Sequence, residues 1–153
     1  MYRREEASKI RQEFWTKFGR YMAPVVSAEG EKVNWVNYKT GIPHLYFRMN
    51  AGKEEATVSV EIMHRDPEFA NKIYEQFLLL KPMLEEHTGE EWGWHALCEN
   101  EYGQVLSRIT ITASPLNIFK ESDWPGIISF LKPRMIALDA FWNDYKMIFE
   151  TIT

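Results

Sequence analysis

Two short stretches alternate so regularly between apolar and polar residues that they narrow the choice of fold sharply. In 45–50 the apolar side chains are Leu45, Phe47 and Met49, and in 57–64 they include Val58, Val60 and Ile62. A period of two belongs to a strand with one face buried and the other in water. Ala51-Gly52-Lys53 lies between them and supplies the glycine that a hairpin turn favours. A lone hairpin is marginal in water, so its apolar face needs a cover. A second hairpin is expected from Trp92 to Cys98 and from Gln104 to Ala113, turning near Glu101-Tyr102. Val33 to Tyr38 reads as one further strand, ending in a turn at Thr40-Gly41.

Three helices are expected to provide the cover. Residues 3–22 carry Ala7, Ile10, Phe14, Phe18 and Tyr21 at steps of three and four, and Pro24 marks the end. Asp66-Pro67 pairs a capping residue with a proline at the first helical position. The helix it opens buries Phe69, Ile73, Phe77, Leu80 and Leu84, stops near Gly89, and should kink at Pro82. Asp123-Trp124-Pro125 opens the last helix, which runs to about Glu150 with Ile127, Leu131, Leu138, Trp142, Tyr145 and Phe149 inward and a kink at Pro133. Both later helices contain Leu-Lys-Pro, too short a match to establish a duplicated hairpin-then-helix unit. The expected fold is α+β in two layers, a single domain over 1–153. An antiparallel sheet of about five strands is covered on one face by three helices, in the order α-β-β-β-α-β-β-α.

Composition agrees with a folded domain. At 153 residues the chain can bury roughly 68–70% of its unfolded surface, and 45% hydrophobic content excludes a disordered chain. Cys98 is the one cysteine, so there is no internal disulfide and no zinc site built from several thiolates. The opening Met1-Tyr2-Arg3-Arg4-Glu5-Glu6 runs straight into charge, and the longest uninterrupted aliphatic or aromatic run, Phe77-Leu78-Leu79-Leu80, cannot span a membrane. A soluble, cytoplasmic, non-membrane protein is expected.

The net charge of −4 is uneven. Residues 1–20 hold six basic groups against three glutamates, whereas 85–101 hold six glutamates and no Lys or Arg. A basic helix suits nucleic acid or an acidic patch, yet such runs are common on solvated surfaces, and an acidic chain repels a phosphate backbone at long range. The six tryptophans mostly fall on faces read as buried, which argues against a base-stacking platform.

Motifs for catalysis are missing. The only Asp/Glu-x-Lys, Asp144-Tyr145-Lys146, falls in a helix rather than on the strand where a metal-dependent nuclease carries it. Gly52-Lys53 lacks the rest of a phosphate loop, no Gly-x-Ser-x-Gly occurs, and His44, His64, His87 and His95 show no zinc spacing. Cys98 shares the apolar parity of its strand and reads as a small core residue. No cofactor, metal or catalytic residue is assigned.

One constellation is left. If the first hairpin pairs Arg48 with Thr57, Tyr46 with Ser59 and His44 with Glu61, apolar residues face apolar ones. The second does the same with His95 opposite Arg108, Trp94 opposite Ile109 and Trp92 opposite Ile111. His44, Tyr46, Arg48, Glu61, His95, Arg108 and Thr110 then share the uncovered side. Two arginines with a glutamate and histidines can bind an anionic ligand or peptide, although a water-facing sheet ordinarily carries such residues.

Several segments resemble a known family. Tyr2-Arg3-Arg4-Glu5-Glu6-Ala7 through Arg11-Gln12-Glu13-Phe14-Trp15-Thr16-Lys17-Phe18-Gly19 forms one, followed by Lys72-Ile73-Tyr74-Glu75, Trp124-Pro125-Gly126-Ile127-Ile128 and Phe141-Trp142-Asn143-Asp144-Tyr145. Together they are similar to the bacterial domain-of-unknown-function family 4268, over about Tyr2 to Phe149. The shared positions are aromatic, aliphatic and capping residues, so the resemblance implies a fold and no established activity. Gly126 departs from it, standing where the family favours an acid. Longer members carry the domain behind a nuclease-like one, which implies a role near nucleic acid or phage defence. Others stand alone at this size. The expected function is a non-catalytic binding or interaction module that docks on another protein or on itself, self-association calling for an exposed apolar patch around Trp15 or Trp35. The alternatives are a nucleic-acid accessory domain and a small enzyme pairing Glu61 with His95.

Overall fold

The computed structural model describes residues 3–152. Met1, Tyr2 and Thr153 lie outside them, and with Tyr2 the start of the family-like opening segment. Helix α1 (Arg4–Met22) leads through the irregular segment 23–44 to strands β1 (Leu45–Ala51) and β2 (Ala56–Met63). Helices α2 (Pro67–Leu79) and α3 (Lys81–Thr88) follow, then strands β3 (Gly93–Glu99) and β4 (Val105–Ala113), and finally helix α4 (Trp124–Glu150). The α+β class and the antiparallel sheet are as expected. The sheet has four strands in the order β1-β2-β4-β3, so the two hairpins join through their second strands.

Three differences from the sequence reading have physical causes. Val33–Tyr38 forms no strand: Asn34 Oδ1 captures the Asn37 N–H at 3.1 Å and turns the chain. Trp35 is buried there and donates to the Val25 carbonyl, so its own ring is not exposed, and Trp15 is only half-buried. Pro82 does more than kink its helix. The helix ends at Leu79, and Pro82 sits in the first turn of α3, where its missing N–H matters least. Pro133 leaves α4 continuous, anchored on both sides by buried Leu131, Met135 and Leu138. Arg134 folds back there to donate from Nη1 to the Phe130 carbonyl.

One of the two proline-containing helix starts also differs. Asp66 caps α2 through Phe69 N–H at 3.3 Å. Asp123 stands at the N-cap of α4 as expected but makes no side-chain capping bond; a 3-10 turn, Glu121–Asp123, precedes the helix and the carboxylate accepts from Asn117 N–H instead. Gly126 lies against Leu116, whose Cδ2 would be 3.2 Å from a Cβ at that position, so a larger residue would crowd it.

Val58, Val60, Ile62, Phe47 and Leu45 bury one sheet face against α2 and α4. Phe47 meets Trp142 edge-on at 5.4 Å, and Phe77 packs 4.5 Å from Phe149. Each such side chain contributes about 1.5–3 kcal/mol by leaving water. Helix α1 docks on α4, with Phe14 edge-on to Trp124. It buries Phe14, Phe18 and Met22, whereas Tyr21, expected inside, is 52% exposed. Among the described residues no helix is long and apolar enough to cross a membrane.

Candidate functional site

Helices cover one face of the sheet, and polar side chains stand on the other. Residues of β1, β2, β4 and β3 line up across it in a row, Tyr46, Glu61, Arg108 and His95. Glu61 is the hub, only 8% exposed. Its Oε1 lies 3.1 Å from Arg48 Nε, and its Oε2 lies 3.3 Å from both Arg108 Nε and Ser59 Oγ. The Arg48 guanidinium also sits over the Tyr46 ring, 4.3 Å from its centre, a cation–π contact that holds the side chain still. Neither guanidinium has another hydrogen-bond partner among the described residues.

The first hairpin is out of the expected register by two residues. Arg48 faces Ser59 and Tyr46 faces Glu61, because the loop spans 52–55, closed by Gly52 N–H to Glu55 O, rather than Gly52-Lys53 alone. A slip of two keeps every side chain on its face, so the open-face set holds. His44 is displaced by it. It precedes β1 with a left-handed φ of 63°, is half-buried, and its carbonyl accepts from Met63 N–H, so it does not face Glu61.

The second hairpin pairs His95 with Arg108 and Trp94 with Ile109 as expected, while Trp92 lies just before β3. A bulge between His95 and Cys98, with Leu97 at φ 53°, adds one residue. One extra residue reverses parity. Cys98 therefore pairs with Leu106 and comes to the open face, contrary to its reading as a core residue. His95 folds over Gly93, where a Cβ would stand 3.1 Å from its Nε2.

Two recesses share Glu61 and Arg108. One, of about 440 Å³, runs along Thr57, Ser59, His95 and Cys98. The other, of about 630 Å³, takes in His44, Tyr46 and Arg48 together with Arg65 and Glu101. Three arginines against two glutamates leave the larger recess locally positive on an acidic protein. Arg65 was missed because it follows the strand, where period-two reasoning stops.

Elsewhere, a few of the charges in the basic and acidic segments have partners within the protein. The basic residues of α1 are all exposed, as a solvated face requires, with Arg11 lying over Phe119 and Lys17 over Trp124. Within the acidic 85–101 segment, Glu90 meets Arg134 at 2.7 Å.

A second polar centre lies between segment 23–44 and α4. Asp139, 5% exposed, accepts from Ala28 N–H at 2.7 Å and from the Tyr38 hydroxyl at 2.6 Å. Burial first, then the bond to Asp139 and its charge, push the Tyr38 phenol far up, so it stays a donor. A cavity of about 390 Å³ opens beside them. The available signal was an acid within the inward stripe Met135, Leu138, Trp142 of a helix.

The chain belongs to the family described as domain of unknown function (DUF4268), whose model matches residues 10–146. No curated protein and no solved structure matches it.

Proposed function

We propose that this member of the family is a non-catalytic interaction module that receives an acidic segment of another protein on the open face of its sheet. The observation that carries this reading is the convergence of Arg48 and Arg108 on Glu61. Glu61 orients both guanidiniums while engaging each through Nε. The terminal nitrogens are left for an incoming carboxylate, which arginine can grip with two parallel bonds. Holding the two side chains in place beforehand lowers the ordering cost of binding. Tyr46 offers an exposed ring beside them, and Arg65 widens the positive recess. Nucleic acid fits less well, since α1 docks on α4, which covers the opposite face from the two arginines.

Anisotropy of a fluorescein-labelled oligo-glutamate peptide at low salt tests the reading. Saturable binding that weakens with salt and is lost in Arg48→Ala plus Arg108→Ala is the expected result. Absence of binding, or binding indifferent to that double change, overturns it. A labelled oligonucleotide bound more tightly through the same arginines would transfer the face to nucleic acid.

A further inference from the structure

The cavity beside Asp139 is lined by a buried carboxylate that no basic group touches among the described residues. Its two partners are neutral, the Ala28 amide and the Tyr38 hydroxyl. An ionised carboxylate has about four acceptor positions, so two bonds leave acceptor capacity. Buried charge is costly unless paired and hydrogen-bonded, and a cation arriving in the cavity would meet that need.

The lining determines which cation fits. Glu29, Glu31 and Asp139 stand against Lys32, Lys39 and Lys146, a balance of three acids and three bases. A polyanion such as a nucleotide would meet the buried carboxylate and both glutamates. A bare metal ion would meet three ammonium groups, and no cluster of acidic or imidazole ligands is formed among the described residues. A molecule carrying both signs finds a partner for each. Gly41 leaves room for Lys146: a Cβ there would stand 3.0 Å from its Nζ, and the positive φ of 82° favours glycine. Tyr38 and Trp142 supply an aromatic wall for a carbon skeleton. The volume of about 390 Å³ lies within the range of small-molecule sites.

We infer that this cleft binds a small zwitterionic amino-carboxylate, its ammonium at Asp139 and its carboxylate at Lys146 or Lys39. The site is separate from the open sheet face and does not depend on it.

Calorimetric titration of the whole chain with a panel of free α- and ω-amino acids tests this, beside their N-acetyl and carboxamide derivatives and inorganic phosphate. At least one free amino acid should bind one-to-one, and masking either charge should weaken it by about tenfold or more. Asp139→Asn should weaken it similarly, and Lys146→Met keeps the test available should the buried change prevent folding. Arg48→Ala plus Arg108→Ala should leave this binding intact. The inference fails if no panel member binds below about 10 mM, a limit near −3 kcal/mol. It also fails if the masked derivatives bind as well as the parents, or if neither cleft substitution changes the affinity.

Discussion

Glu61 and Asp139 are both carboxylates almost withdrawn from water, yet they are stabilised in different ways. Glu61 lies between two guanidiniums, so its charge is compensated within the sheet. Asp139 is met only by neutral donors and stands beside an open cavity. A compensated carboxylate holds its neighbours in position; an uncompensated one invites a cation. Thus similar burial supports different uses, and the identity of the partners separates them.

The largest effect should come from Asp139→Ala. It leaves the Ala28 N–H and the Tyr38 hydroxyl without an acceptor, and urea unfolding should show a loss of about 2–4 kcal/mol. Tyr38→Phe removes one bond to the charge and should cost about 1.5 kcal/mol in the same assay. Glu61→Ala should cost only about 1 kcal/mol, because both arginines are partly exposed and can rehydrate. A greater loss at Glu61 than at Asp139 would invert the comparison.

A smaller, pH-dependent effect distinguishes two histidines. Burial works against the charged form of His87, but its bonds to the Met83 carbonyl and Asp144, with the charges of Asp144 and Glu86, raise it above the ordinary 6.5. Its stabilising contribution is therefore complete below pH 6.5 and lost as pH rises through the folded-state value. His87→Gln should destabilise by a few tenths of a kcal/mol near pH 5 and by nothing measurable near pH 9, as followed by urea midpoints. His64 is lowered by burial, so its contribution is present above 6.5 and lost as pH falls through its folded value. Thermal melts of His64→Gln should show the opposite slope.

The open face was legible because strand parity is a local property. Tyr46, Arg48, Glu61, His95 and Arg108 share it even though the first hairpin slipped by two residues. His44 reaches the same recess but loses its pairing with Glu61 to the four-residue turn, and Cys98 was misplaced by a bulge, backbone features that residue type does not announce. The helical cover was legible from apolar stripes, except that Pro82 divided one helix and Tyr21 turned outward. The cleft was illegible for another reason. Asp139 meets its partners across 111 and 101 positions, and Tyr38 lies in a segment read as a strand.

That long reach bears on the order in which the molecule is assembled during synthesis. Segment 23–44 leaves the ribosome well before the helix carrying Asp139, and chains emerge N-terminus first. All four strands are out by residue 113, whereas the cleft has no floor until α4 follows. A partner meeting the nascent chain would find the strands of the sheet face before any small molecule could find the cleft.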